Sequence, residues 1–199
     1  MSDEICIASF ADDGYAPIRA VTFPNKRQYA AKHGYRCFLL DWIPSTRPPA
    51  WSKIIMLHNL MEFVGPGWIF WTDADSVFMN FEIKLEKLLD PTADIVASGD
   101  QNGINTGNFF IRSSPKCQKF LKDVWACEQF INHDYWEQEA IWHLLKNNYP
   151  IRAIPAPKRL FNSYPHEYEK GDFILHAAGI RNRDQKLRKC LEEAGHPVG

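Results

Sequence analysis

The segment Gly67-Trp68-Ile69-Phe70-Trp71-Thr72-Asp73-Ala74-Asp75-Ser76 constrains this chain more than any other. Its apolar run is short and uninterrupted, which predicts a strand buried on both faces, and it ends in two carboxylates at i and i+2. On an extended segment alternate side chains share a face, so Asp73 and Asp75 are expected to emerge together. Two anions at the end of a buried strand repel and raise each other's pKa unless a cation lies between them. Carboxylate oxygens suit a hard divalent ion, Mg²⁺ or Mn²⁺. In open α/β sheets the crevices at the carboxyl ends of strands bind nucleotides. An Asp-rich turn after a core strand is the plain alternative, and the downstream residues described next favour a site.

The flanking pattern alternates strands with helices. Glu4 to Phe10 and Tyr35 to Asp41 read as strands, and Ile18 to His33 between them as a helix stopped by Gly34. Trp51 to Val64 carries apolar residues at helical spacing and ends at Gly65-Pro66-Gly67. Asp94 to Ser98 and Phe109 to Arg112 read as strands separated by a Gly103–Gly107 loop. A helix follows from Ser114 and Pro115 to about Ile131. Tyr135 to Lys146 is a further helix, Ile151 to Ile154 a strand, and the stretch to about Tyr168 a Pro-rich loop. Asp172 to His176 is a last strand and Arg183 to Ala194 a terminal helix. This order predicts a single α/β domain with a mostly parallel, Rossmann-like central sheet and helices on both faces. At 199 residues and 45% hydrophobic content the chain can bury a full core without staples.

Composition narrows the function classes. Twenty-four acidic against 23 basic residues give a net charge of −1, which offers no bulk attraction to nucleic acid. No positively charged leader with an apolar core opens the chain, and no run approaches eighteen apolar residues, so a soluble, cytoplasmic protein without a membrane span is expected. Five cysteines without a Cys-x-x-Cys pair argue for reduced structural thiols and against zinc. Walker-type and Gly-x-Gly-x-x-Gly loops are both absent, so phosphate would have to be held by a metal and side chains.

Six motifs then appear in a recognisable order: Ile5 to Phe10, Trp51-Ser52-Lys53, Trp71-Thr72-Asp73-Ala74-Asp75, Asn105-Thr106-Gly107 with Phe109-Phe110-Ile111-Arg112, Glu137-Gln138-Glu139-Ala140, and His176-Ala177-Ala178-Gly179-Ile180-Arg181. Together they resemble the metal-dependent, GT-A-fold nucleotide-sugar glycosyltransferases. More narrowly, they are similar to the retaining family of fungal α-galactosyl and α-mannosyl transferases and plant xyloglucan xylosyltransferases. The resemblance spans roughly residues 4 to 190 and implies a nucleotide-sugar donor, UDP-linked by preference, a Mn²⁺ or Mg²⁺ cofactor and a glycan acceptor.

The resemblance also implies roles. Asp75 is the primary metal ligand, Asp73 reaches the ribose or the ion, and His176 completes the metal site. Gly179 lets backbone approach the diphosphate, and Arg181 neutralises it with a forked donor set. The neighbouring Arg183, Lys186, Arg188 and Lys189 could enlarge that positive field, although for all but Lys186 the run reads more readily as the solvated face of the terminal helix. Lys53 matches a position near the donor. Ala8, Ser9 and Phe10 present backbone to the nucleobase, with Phe10 equally readable as core. Asn105 either bonds donor hydroxyls or serves a turn. Glu137 and Gln138 lie beside the anomeric carbon, opposite the diphosphate, although acidic residues there also suit a helix N-terminus. The loops 43–50 and 155–170 would choose the acceptor. A sugar-phosphate nucleotidyltransferase shares the paired Asp and metal, but Ala11-Asp12-Asp13-Gly14-Tyr15 is acidic where that class carries a glycine-rich basic loop. A non-catalytic carbohydrate-binding domain would have aromatic surfaces and no need of the Asp73, Asp75, His176 and Arg181 set.

Overall fold

The computed structural model describes residues 4–100 and 103–197. In chain order its elements are β1 (Ile5–Phe10), α1 (Ala16–His33), β2 (Arg36–Leu40), α2 (Ser52–Val64), β3 (Gly67–Thr72), β4 (Ser76–Phe78), β5 (Ile95–Asp100), β6 (Gly103–Ser113), α3 (Pro115–Trp125), α4 (Trp136–Lys146), β7 (Ala153–Ala156), α5 (Lys158–Phe161), β8 (Ile174–His176) and α6 (Arg183–Glu193). The main sheet has the order β2-β1-β3-β6-β5-β7, and only β6 runs against the other five strands. A two-stranded antiparallel sheet, β4 with β8, lies beside it.

The apolar alternation along the strands explains the layering. Cys6, Ala8, Ile69, Trp71, Phe109 and Ile111 join a core with residues of α2, α3 and α4. Their neighbours Ile5, Ile7, Trp68, Phe70 and Phe110 join a second core with Tyr29 of α1, Phe78, Phe161 and Phe173. Period-two alternation with both faces apolar is what a covered, mostly parallel sheet requires. Helices therefore flank both faces, as the sequence predicts.

Several boundaries differ from the sequence expectation. Gly103–Gly107 is no loop but the first half of the eleven-residue β6, whose polar Asn105 and Thr106 are buried. Its composition reflects a lined site rather than exposure to solvent. The helix expected to reach Ile131 ends at Trp125, where the Arg47 guanidinium takes the Trp125 carbonyl (2.5 Å). A single 3₁₀ turn, Glu128–Phe130, follows. The late strand is displaced to Ala153–Ala156 on the sheet edge, where Pro155 is tolerated, and the Pro-rich stretch holds one helical turn, α5. Helix α1 begins earlier than expected and accommodates Pro24 in its interior. Gly34 ends it in the left-handed conformation (φ 76°), with its amide bonded to the Ala30 carbonyl.

Candidate active site

The apolar strand β3 stops at Thr72, and the chain then reverses in a tight turn closed by the Ser76 amide on the Asp73 carbonyl (3.1 Å). Asp73 and Asp75 thus converge because a turn brings them together, not because they alternate on an extended strand. The turn is gripped from three sides. The Asp73 amide donates to the Gly107 carbonyl of β6 (2.7 Å). The wholly buried Lys26 ammonium of α1 donates to the Asp73 carbonyl (2.6 Å), the Ser9 hydroxyl (3.0 Å) and the Ala74 carbonyl (3.5 Å). One turn of strand further on, Asn25 brackets Phe78, donating to its carbonyl (2.9 Å) and accepting from its amide (2.8 Å). Burial pushes the Lys26 pKa down to about 7 against the opposing pull of Asp75 and Asp73.

The side sheet supplies the third candidate ligand. Pairing of Ser76 with His176 in the β4–β8 ladder sets the imidazole beside the acidic turn. One candidate ligand atom from each of Asp73, Asp75 and His176 lies within 4.8 Å of the others. His176 Nε2 is 3.3 Å from Asp75 Oδ1, and Arg183 Nη1 is 3.2 Å from Asp75 Oδ2. Burial of Asp75 opposes its ionisation, yet the nearby His176 and Arg183 outweigh it and bring its pKa to about 2. On its far side the His176 ring meets the Asn162 side-chain oxygen at 2.6 Å, so Nδ1 carries the proton and Nε2 is the nitrogen turned to the carboxylates. Its Cε1 and Nδ1 atoms lie against Gly107, where an added Cβ would overlap the ring. Two carboxylates and an imidazole fit a divalent ion of the Mn²⁺ or Mg²⁺ type. The Asp73 side chain remains 30% exposed, which leaves an approach for phosphate oxygens.

A second cluster adjoins the first. The buried Lys53 ammonium of α2 donates to Glu137 Oε1 (2.6 Å) and the Thr106 carbonyl (2.8 Å), and pairs with Asp73 Oδ1 (3.1 Å). The Trp71 indole N–H donates to the same Asp73 oxygen (2.6 Å). Two carboxylates share one ammonium here. Although burial alone would discharge Lys53, Asp73 and Glu137 raise its pKa and keep it charged. Burial raises the Glu137 pKa, Lys53 opposes that rise and Asp73 adds to it. Next to it, Gln138 Oε1 accepts from the Thr106 amide (3.1 Å). The helix carrying both residues is entered through Trp136, a non-glycine residue with φ 42° and a half-exposed indole.

The fold thus assembles Asp73, Asp75, His176, Lys53, Glu137 and Gln138, and it buries Asn105 beside them with its Oδ1 on the Gly107 amide (2.9 Å). Ala8 is fully buried and paired with strands on both sides, and the Ser9 hydroxyl is committed to Lys26, so of the three only Phe10 has a partly exposed side chain. Gly179 has φ 70° with open space around it, so its need for glycine is conformational. Arg181 and Lys186 are exposed. Arg183, which reads in the sequence as part of a solvated face, instead reaches Asp75. Asn25, Lys26 and Asn162 also went unread. A signal existed for the first two, because Thr22, Asn25, Lys26, Tyr29 and Ala30 form one stripe at helical spacing, polar residues among inward-facing ones.

Known proteins match this chain in sequence and in fold. The family model described as the galactosyl transferase GMA12/MNN10 family matches residues 8–93 and 88–186. An alpha-1,2-galactosyltransferase of Schizosaccharomyces pombe is 25% identical over 93% of this chain and 64% of its own length. A probable alpha-1,6-mannosyltransferase, MNN10, of Saccharomyces cerevisiae is 27% identical over 74% of this chain and 48% of its own. The chain therefore spans about half to two thirds of the length of these curated relatives. Among solved structures, a glycosyltransferase involved in glycosylation of the major capsid of PBCV-1 superposes with a TM-score of 0.76 at 19% identity, covering 94% of this chain and 99% of that one. The galactosyltransferase LgtC, in complex with donor and acceptor sugar analogs, gives 0.64 at 16% identity, covering 95% of each. These structures share the GT-A fold described above.

Proposed function

The chain belongs to the galactosyl transferase GMA12/MNN10 family, and from that premise we propose that it moves a hexose from a nucleoside-diphosphate sugar, UDP-linked, to a carbohydrate hydroxyl with retention of configuration. The observation that carries the proposal is the Asp73–Asp75–His176 cluster, joined through Lys53 to Glu137, with Gln138 held beside it by the Thr106 amide. Transfer breaks the anomeric C–O bond to the diphosphate while charge builds on the leaving group. A divalent cation, Mn²⁺ or Mg²⁺, held by Asp73, Asp75 and His176 would supply Lewis-acid stabilisation of that charge.

The chain's own residues supply the remainder. Asp75 stays ionised at any physiological pH, and Asn162 keeps His176 Nε2 turned toward it. Arg181 and Gly179 would meet the diphosphate, with Lys186 adding to the field. The strand end at Ala8, Ser9 and Phe10 and the buried Asn105 would border the nucleoside and sugar. Gln138, fixed by Thr106, would stand against the cationic face of the sugar.

Glu137 is buried in its pair with Lys53, which disfavours it as an attacking carboxylate. Retention then follows from acceptor attack on the leaving-group face. The new glycosidic C–O bond forms as the bond to phosphate breaks, and the acceptor proton passes to the departing phosphate oxygen. Among the described residues no helix is long and apolar enough to cross a membrane.

The test is release of nucleoside diphosphate from a panel of nucleotide sugars with Mn²⁺. Asp75→Ala and His176→Ala should abolish turnover with the fold intact. Pyrophosphate exchange would instead support a nucleotidyltransferase, and undiminished rates in EDTA would refute the metal site.

A further inference from the structure

Asp75 offers two oxygens. One faces His176 and the other is held by Arg183, whose Nη1 lies 3.2 Å away. The same Nη1 donates to the Tyr15 hydroxyl (2.5 Å), the guanidinium lies 5.5 Å from the Tyr15 ring, and Nε donates to the Ile180 carbonyl (3.1 Å). Arg183 is thus a three-quarters buried cation, its side chain 24% exposed, on the very carboxylate that a divalent ion would use. A dication on Oδ2 must displace the guanidinium, and one on Oδ1 repels it across a single carboxylate. The Cα of Arg183 is fixed at the first position of α6, which is anchored through the buried Leu187 and Leu191. Only its long side chain needs to move.

We propose that Arg183 is a two-position cation, passing from Asp75 to the diphosphate of the incoming donor when the divalent ion takes the carboxylate. This rests on the transfer reading above and adds a binding residue and an order of loading to it. A guanidinium leaving Asp75 needs another anion, and a diphosphate bound at the same ion offers two oxygens to its forked donor set. The ion alone loses the Arg183–Asp75 pair on binding, whereas ion and diphosphate together recover it in a new place. Metal and nucleotide therefore bind with positive coupling, and by reciprocity each raises the affinity of the other by the same factor. Tyr15 holds the first position, since its hydroxyl and ring keep the guanidinium over Asp75.

The experiment measures Mn²⁺ affinity by the paramagnetic resonance of free Mn²⁺, with and without UDP, and with GDP in parallel. Arg183→Met should bind Mn²⁺ alone about tenfold more tightly than the wild type, and its coupling to UDP should fall by about tenfold or more. Arg183→Lys should retain part of the coupling. Tyr15→Phe, which leaves the guanidinium in place but loosens its hold, should also tighten Mn²⁺ binding in the absence of nucleotide. It serves as the test if Arg183→Met does not fold. Unchanged or weaker Mn²⁺ binding in these variants, or coupling that survives Arg183→Met, overturns the proposal. Wild-type protein that binds Mn²⁺ and UDP without coupling overturns it and leaves the transfer reading standing. Wild-type protein that binds neither nucleotide overturns both.

Discussion

A single methyl group at Gly107 should unseat the histidine of the Asp73–Asp75–His176 cluster. An added Cβ there would overlap His176 Cε1, lie 2.9 Å from Nδ1, and come within 3.1 Å of Asn105 Oδ1. The ring would have to retreat roughly 1 Å to reach ordinary carbon contact. It cannot do so freely, because Nδ1 on that same edge is bonded to Asn162 at 2.6 Å and its strand is tied to β4. Nor can β6 yield easily, since the Gly107 carbonyl receives the Asp73 amide. Overpacking of this kind costs about 1–3 kcal/mol, and loss of the Asn162 hydrogen bond adds about 1 kcal/mol. Gly107→Ala should therefore lower stability by about 2–4 kcal/mol, or roughly 2–4 °C in Tm for each kcal/mol in a chain of this length. Metal affinity should fall about 10- to 100-fold, as when a group orienting a ligand is lost. Urea unfolding in EDTA and Mn²⁺ titration measure the two effects separately. A variant with wild-type stability and wild-type Mn²⁺ affinity would show that the glycine is not needed for the approach of the ring.

Two other perturbations probe the charges. Lys53→Met leaves the buried Glu137 facing Asp73 without a cation and should cost about 3–5 kcal/mol in urea unfolding. Adding Glu137→Gln should restore a good part of that loss, and strict additivity of the two would count against the shared-ammonium description. Asp75 predicts an acid dependence of stability in chelator-treated protein. Its folded pKa, about 2, lies below the ordinary 3.8, so the unfolded chain binds more protons in that window and stability rises with pH across it. The contribution, about 2 kcal/mol, is complete above about pH 5 and fades as pH falls toward 2. The stability difference between wild type and Asp75→Asn should shrink over that range. A difference independent of pH would refute the assignment.

Elements whose fate is decided by their own residues were legible in the sequence. The run Trp68–Trp71 is apolar on both faces and is a central strand, and the stripe in Trp51–Val64 is a helix ended by Gly65. Elements decided by distant partners were not. Asn105 and Thr106 between glycines read as a loop because nothing local shows that Gly103 and Ile104 pair with β5 and that the residues from Asn108 onward pair with β3. Arg183 sits among charged neighbours that point to solvent, and only the placement of α6 beside the acidic turn distinguishes it. The convergence of Asp73 and Asp75 was anticipated from strand alternation, whereas a turn produces it. Carboxylates at that spacing meet in either conformation, so the outcome was insensitive to the error.

The residues that break the local pattern are those that build the site. Asn25 and Lys26 place polar groups in the inward stripe of α1, a conflict with binary patterning that would cost the helix its fit to a plain core. The conflict is resolved because the Asp73–Phe78 segment has carbonyls and amides that the sheet leaves unpaired, and these two side chains satisfy them. The same logic applies on the other side of the turn. The register of β6 on β3 brings the Gly107 carbonyl to the Asp73 amide, and the register of β8 on β4 brings His176 to Asp75. Carboxylates held through their own backbone on three sides have little freedom left to lose when a cation and an anionic substrate arrive. Electrostatic catalysis draws its advantage from groups oriented before the charge develops. The polar stripe of α1 is therefore read best as a cost in local consistency that fixes the acidic turn, and with it the geometry on which the proposed transfer depends.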